Sequence, residues 1–123
     1  MIRIVGVQRS PNPAQEFVLL QNQGGLRLNL RGHVVMGDCE MHRSEHGEFM
    51  HVFRDEVQVP PGAFVLLHTG HGEPIWKRTK EQFMVYYTYM ERLHSVWDRC
   101  EGPTHVLSLQ HSFTERREAL LLP

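Results

Sequence analysis

Glu16-Phe17-Val18-Leu19-Leu20-Gln21-Asn22 is the stretch on which the fold turns. Its apolar centre, Phe17 to Leu20, is too short for a helix of ordinary length and is closed by the turn signal Asn22-Gln23-Gly24-Gly25. That combination predicts a strand buried on both faces. Just after it, Leu26-Arg27-Leu28-Asn29-Leu30 alternates cleanly, which puts the leucines on one face of a pleated strand.

Working outward, Ile2 to Val7 reads as a first strand, ended by Ser10-Pro11-Asn12-Pro13. Gly32 to Met36 and Phe49 to Phe53 form a candidate hairpin across His46-Gly47. Val57-Gln58-Val59 enters the turn Pro60-Pro61-Gly62, and Ala63 to Leu67 leaves it as another strand. Val106 to Leu109 and Ala119 to Leu122 are expected to close the sheet. Short strands between Gly/Pro turns, without the strand-helix alternation of a βαβ protein, predict one all-β domain over residues 1–123, a sandwich or barrel.

The segment around 75–95 is the exception. Phe83, Tyr87, Met90 and Leu93 or His94 follow helical spacing, yet Phe83 to Tyr89 is as β-prone as anything in the chain. Thr79-Lys80-Glu81-Gln82 resembles an N-terminal helix cap and tilts the expectation toward a long loop or short helical excursion.

Composition narrows function mainly by exclusion. Thirteen Lys and Arg against fourteen Asp and Glu provide no global field for nucleic acid or an anionic membrane. No apolar run approaches a membrane span, and the N-terminus does not read as a secretory signal, so a cytoplasmic protein without membrane insertion is expected. In that setting Cys39 and Cys100 are expected as free thiols.

The ordered series Arg3-Ile4-Val5, Glu16 to Asn22, Leu28-Asn29-Leu30-Arg31-Gly32, Phe53, Val59-Pro60-Pro61-Gly62, His68-Thr69-Gly70, Val96-Trp97-Asp98 and Val106 to Leu109 resembles the lamin tail domain in its stand-alone bacterial form. The resemblance implies an immunoglobulin-like β-sandwich working as an adaptor or structural module, with no catalytic residues and no cofactor. Lamins use the domain to contact proteins and DNA. The chain departs from the family pattern at His33, after Asp98, and in the long connection between Gly70 and Val96.

The function expected is therefore a non-catalytic module that binds a protein partner through loop ends or an edge strand. Trp76, Lys77, Arg78 and Lys80, with Tyr86 and Tyr87, form a candidate aromatic and basic contact surface. The same cations leave weak nucleic-acid binding as an alternative, although Glu73 and Glu81 flank them. Nine histidines raise a metal alternative, since Cys39, His42 and His46 have half-site spacing, but only an irregular loop would gather all three. The serines lack a nucleophile elbow, and neither cysteine sits in a catalytic signature. Trp97 is expected to plug the core.

Overall fold

Strand formation follows the apolar runs. The computed structural model describes residues 1–42 and 47–108. Its strands are β1 (Ile2–Gln8), β2 (Phe17–Asn22), β3 (Leu28–Asn29), β4 (Val34–Gly37), β5 (Met50–Val52), β6 (Gln58–Val59), β7 (Phe64–His68), β8 (Ile75–Arg78), β9 (Met84–Tyr89) and β10 (Thr104–Leu107). They pair into a five-stranded sheet ordered β1-β2-β7-β9-β8, a three-stranded sheet ordered β10-β4-β5, and the small β3-β6 ladder. No described helix is long and apolar enough to cross a membrane. The expected strand Val106 to Leu109 appears as β10, while Leu109 and the terminal Ala119 to Leu122 lie outside the described residues.

The inner faces meet in one core. Val18 and Leu20 of β2, Val65 and Leu67 of β7, and Val35 of β4 pack with Leu30, Phe53, Val59 and Trp97, all essentially inaccessible to water. The architecture is all-β and sandwich-like, with side chains from both larger sheets sharing that interior. Trp97 lies within it as expected, though its indole Nε1 has no hydrogen-bond partner among the described residues.

Glu16 holds the core's far end together. Its carboxylate, fully buried, accepts hydrogen bonds from the Thr69 hydroxyl at 2.8 Å and from the N–H groups of Val96, Trp97 and Asp98 at 2.7, 3.0 and 2.9 Å. The Ser10 N–H adds a fifth at 3.3 Å. One side chain at the head of β2 thus fixes the end of β7 and the turn that carries Trp97.

Two expectations are corrected. The segment around 75–95 is a hairpin, β8 followed by β9, and not a loop or helical excursion. The Thr79 hydroxyl does cap, but it accepts from the Phe83 N–H inside the tight hairpin turn, where Gln82 takes a positive φ of 70°. Pairing on both flanks favours the β-prone reading of Phe83 to Tyr89: β9 lies between β8, antiparallel, and β7, parallel. The chain reaches that parallel pairing by running out to the edge as β8 and folding back.

Cys39 and Cys100, expected as free thiols, form a disulfide with a Cα–Cα distance of 5.8 Å. The reason is register. Gly37 pairs with Thr104, so the segments flanking β4 and β10 arrive side by side although 61 residues separate the cysteines. Gly37 makes the room: a Cβ there would stand 2.6 Å from the Cys100 sulfur.

Candidate functional site

β2, β7 and β9 are apolar on both faces, and that places the candidate site. A strand with one solvated face normally alternates, and a continuous apolar run marks a sheet covered on both sides. Among the described residues the second face is only partly covered. Phe17 and Leu19 of β2, Phe64, Leu66 and His68 of β7, and Tyr87 and Tyr89 of β9 stand on the outer face, partly accessible and outside the core cluster. Register puts them in rows, Phe17 beside His68 beside Tyr89, and Leu19 beside Leu66 beside Tyr87. Ile75 and Phe83 extend the patch, each about half exposed at 49% and 50%.

The aromatic part is ordered by its own contacts. The His68 ring lies nearly parallel to those of Tyr89 and Tyr87, with centroids 5.2 and 6.2 Å away, and meets Phe17 edge-on at 6.0 Å. Phe83 meets Phe64 edge-on at 5.6 Å. Gly72 permits the layer to close, because a Cβ at that position would sit 2.3 Å from the Tyr89 ring. Burial among these rings holds the His68 pKa below its ordinary value, so the face carries no charge at His68 near neutral pH.

The six residues proposed from sequence as one contact surface are divided by strand alternation. Lys77 and Tyr87 are on the outer face, with the Lys77 ammonium 5.1 Å from the Tyr87 ring centroid. Trp76 and Tyr86 turn inward and pack together at 5.3 Å, next to the core. Arg78 shares their side of β8 at the rim, donating to the Met84 sulfur and to the side-chain Oε1 of Gln82, and Lys80 is exposed in the β8–β9 turn. The sequence reading missed Phe17, Leu19, Phe64, Leu66 and His68. The signal is present in the unbroken apolar runs Phe17 to Leu20 and Phe64 to Leu67, which periodicity alone does not divide into a core face and an outer face.

A second feature is a cleft of about 660 Å³ between β5 and the end of β9, lined by His51, Arg54, Asp55, Thr88, Glu91 and Arg92 among others. Its polar groups are largely committed to the fold. Asp55 Oδ2 accepts from the Tyr86 hydroxyl at 2.8 Å and the Thr88 hydroxyl at 3.0 Å, and burial with that carboxylate pushes the Tyr86 pKa well up. Arg92 donates to the carbonyls of Gly47, Glu48 and Met50, and Glu91 pairs with His71, which together with Gly72 holds its carboxyl pKa low.

His51 lies against Phe53 in an edge-on contact at 4.9 Å, and its Nε2 is buried without a partner among the described residues. Burial lowers its pKa from 6.5 to about 4. Between those two values the unfolded chain binds a proton that the native state refuses, so stability falls as pH drops from about 6.5 toward 4. The loss is about 3 kcal/mol at most by the pKa difference. His51→Phe should abolish this component: urea unfolding of wild type and variant at pH 7 and pH 4.5 gives a smaller pH dependence for the variant, and equal dependence refutes the assignment.

For the metal alternative, Cys39 spends its sulfur on Cys100, His42 faces Asp38 at 3.9 Å, and His46 is outside the described residues. Among the described residues no group of three or more His, Cys, Asp or Glu side chains is arranged to hold a metal ion. Comparison of the chain with protein-family models, with curated proteins and with solved structures returns no match.

Proposed function

We propose that this chain is a non-catalytic interaction module, an immunoglobulin-like sandwich of lamin-tail type, that binds a protein partner across the outer face of its five-stranded sheet. One observation carries the reading: β2, β7 and β9 present apolar and aromatic side chains to both sides, while among the described residues only one side has a core cluster against it. A contiguous patch of that kind is a hallmark of a docking surface. Its aromatic content suits an interface centre. The lamin-tail assignment draws its support from the ordered motifs, and from Glu16 and Trp97 being joined in one buried network.

The surface differs from the loop ends expected from sequence, but adjoins the expected edge strand. Nucleic-acid binding is the weaker reading, since alternation spreads Lys77 and Arg78 to opposite sides of β8. The Cys39–Cys100 bond is of a kind that persists in oxidising compartments, which weighs against a cytoplasmic location.

Leu19→Gln combined with Leu66→Gln tests the docking face. Both side chains stand outside the core, so the variant should stay folded by thermal melting and circular dichroism. Retention of the native partner in pull-downs should fall at least about tenfold, the 1.4 kcal/mol scale of one lost apolar contact. Unchanged retention by a folded variant contradicts the reading. Duplex DNA at low salt should bind neither protein.

A further inference from the structure

Among the described residues β8 is an edge strand of the five-stranded sheet with no partner on its outer side, and its hydrogen-bonding phase is readable. Thr79 N–H donates to the Phe83 carbonyl at 2.8 Å, and Met90 N–H donates to His68, on the β7 side, at 2.8 Å. Alternation then directs Val85 and Tyr87 toward β8, where they bond Lys77 and Ile75. The N–H and C=O groups of Trp76 and Arg78 point away from the sheet. Among the described residues they are four unpaired main-chain groups on a regular strand without a bulge. The opposite edge is built differently: β1 carries a register shift between Ile4 and Gly6, and Arg9 ties its end to Trp97 and Gly102.

From this we infer that β8 is a strand-addition site for an extended segment of a partner polypeptide, with two consecutive carboxylate side chains followed by two apolar ones. Strand addition rests on the interaction-module reading above and names the partner's chemistry. The main-chain groups of Trp76 and Arg78 require an extended backbone. The side chains set the sequence: in an antiparallel pairing, the commoner kind, consecutive partner residues face Arg78, Lys77, Trp76 and Ile75 in that order. The first two positions meet two cations, and the strand bears no acidic residue to oppose them. The last two meet a half-buried indole and an exposed isoleucine.

A second copy of this chain fits poorly. The antiparallel register that would use all four edge groups sets Trp76 opposite Arg78 and Lys77 directly opposite its own counterpart, a like-charge pair.

The test uses the whole chain and a labelled synthetic peptide carrying Glu-Glu-Val-Phe between Gly-Ser flanks, read by fluorescence anisotropy and by amide shifts in the protein. Binding is expected to perturb the amides of Ile75 to Arg78 and to weaken at least tenfold in Lys77→Glu/Arg78→Glu. N-methylation gives the sharper readout, needing no protein variant. Methylating the first glutamate or the valine removes an N–H aimed at β8 and should abolish binding, while methylating the second glutamate should be tolerated. Equal sensitivity at all three positions, shifts confined to the outer face, or no binding overturns the strand-addition inference. Self-association through β8 in sedimentation does so too. None of these results touches the docking-face reading, which stands or falls with Leu19→Gln/Leu66→Gln.

Discussion

Glu16→Ala should destabilise the protein by about 3–5 kcal/mol, the range for removing one member of a buried charged network. The substitution strips the acceptor from five donors at once and leaves the N–H groups of Val96 and Trp97 buried with nothing to bond. It also opens a void between β2, β7 and the Trp97 turn. Urea unfolding should show a lower midpoint with an unchanged slope, and Trp97 fluorescence should shift red as its burial loosens. Glu16→Gln keeps the shape but turns an amide N–H₂ toward N–H donors, so its loss should be smaller than that of alanine and still clear. If alanine costs under 1 kcal/mol, the network does not hold the fold's end together.

The second large effect belongs to the disulfide. Joining Cys39 to Cys100 closes a loop of about sixty residues, which by chain entropy is worth about 4 kcal/mol against the open unfolded chain. Reduction, or Cys39→Ser with Cys100→Ser, should lower the denaturation midpoint accordingly and speed proteolysis near Asp38 to His42, the turn the bond anchors. Since Gly37 is spaced around the Cys100 sulfur, Gly37→Ala should hinder formation of the bond. A reduced protein as stable as the oxidised one contradicts this.

Much of the fold was legible because its signals are local. Phe17 to Leu20 and Pro60-Pro61-Gly62 each report their own backbone, and β2 and β7 fall where they predict, whereas the alternating run Leu26 to Leu30 yields only the two-residue β3 and leaves Leu26 exposed. The hairpin of β8 and β9 was not legible, because Thr79 to Gln82 has the same capping chemistry whether it opens a helix or closes a turn. Only the flanking strands decide that. The disulfide was hidden for the same reason, since its geometry is a property of β4 pairing with β10 across the chain. The site was half legible: Lys77 and Tyr87 carried their signal in composition, whereas the outer rows of β2 and β7 looked like core. Periodicity tells a strand that both of its faces are apolar; it does not say whether each face has been covered.

That outer face, only partly covered among the described residues, is the centre of the account, and site-specific photocrosslinking measures it most directly. A photoreactive phenylalanine analogue placed at Phe64 or Tyr87 on the outer face, at Phe53 in the core, or at Glu101 in an exposed sandwich-end loop samples the possible contact regions. In the native cell, Phe64 and Tyr87 should give one shared partner adduct, with none from Glu101 or Phe53. Adducts from Glu101 with none from Phe64 and Tyr87 would contradict the docking face and return recognition to the loops.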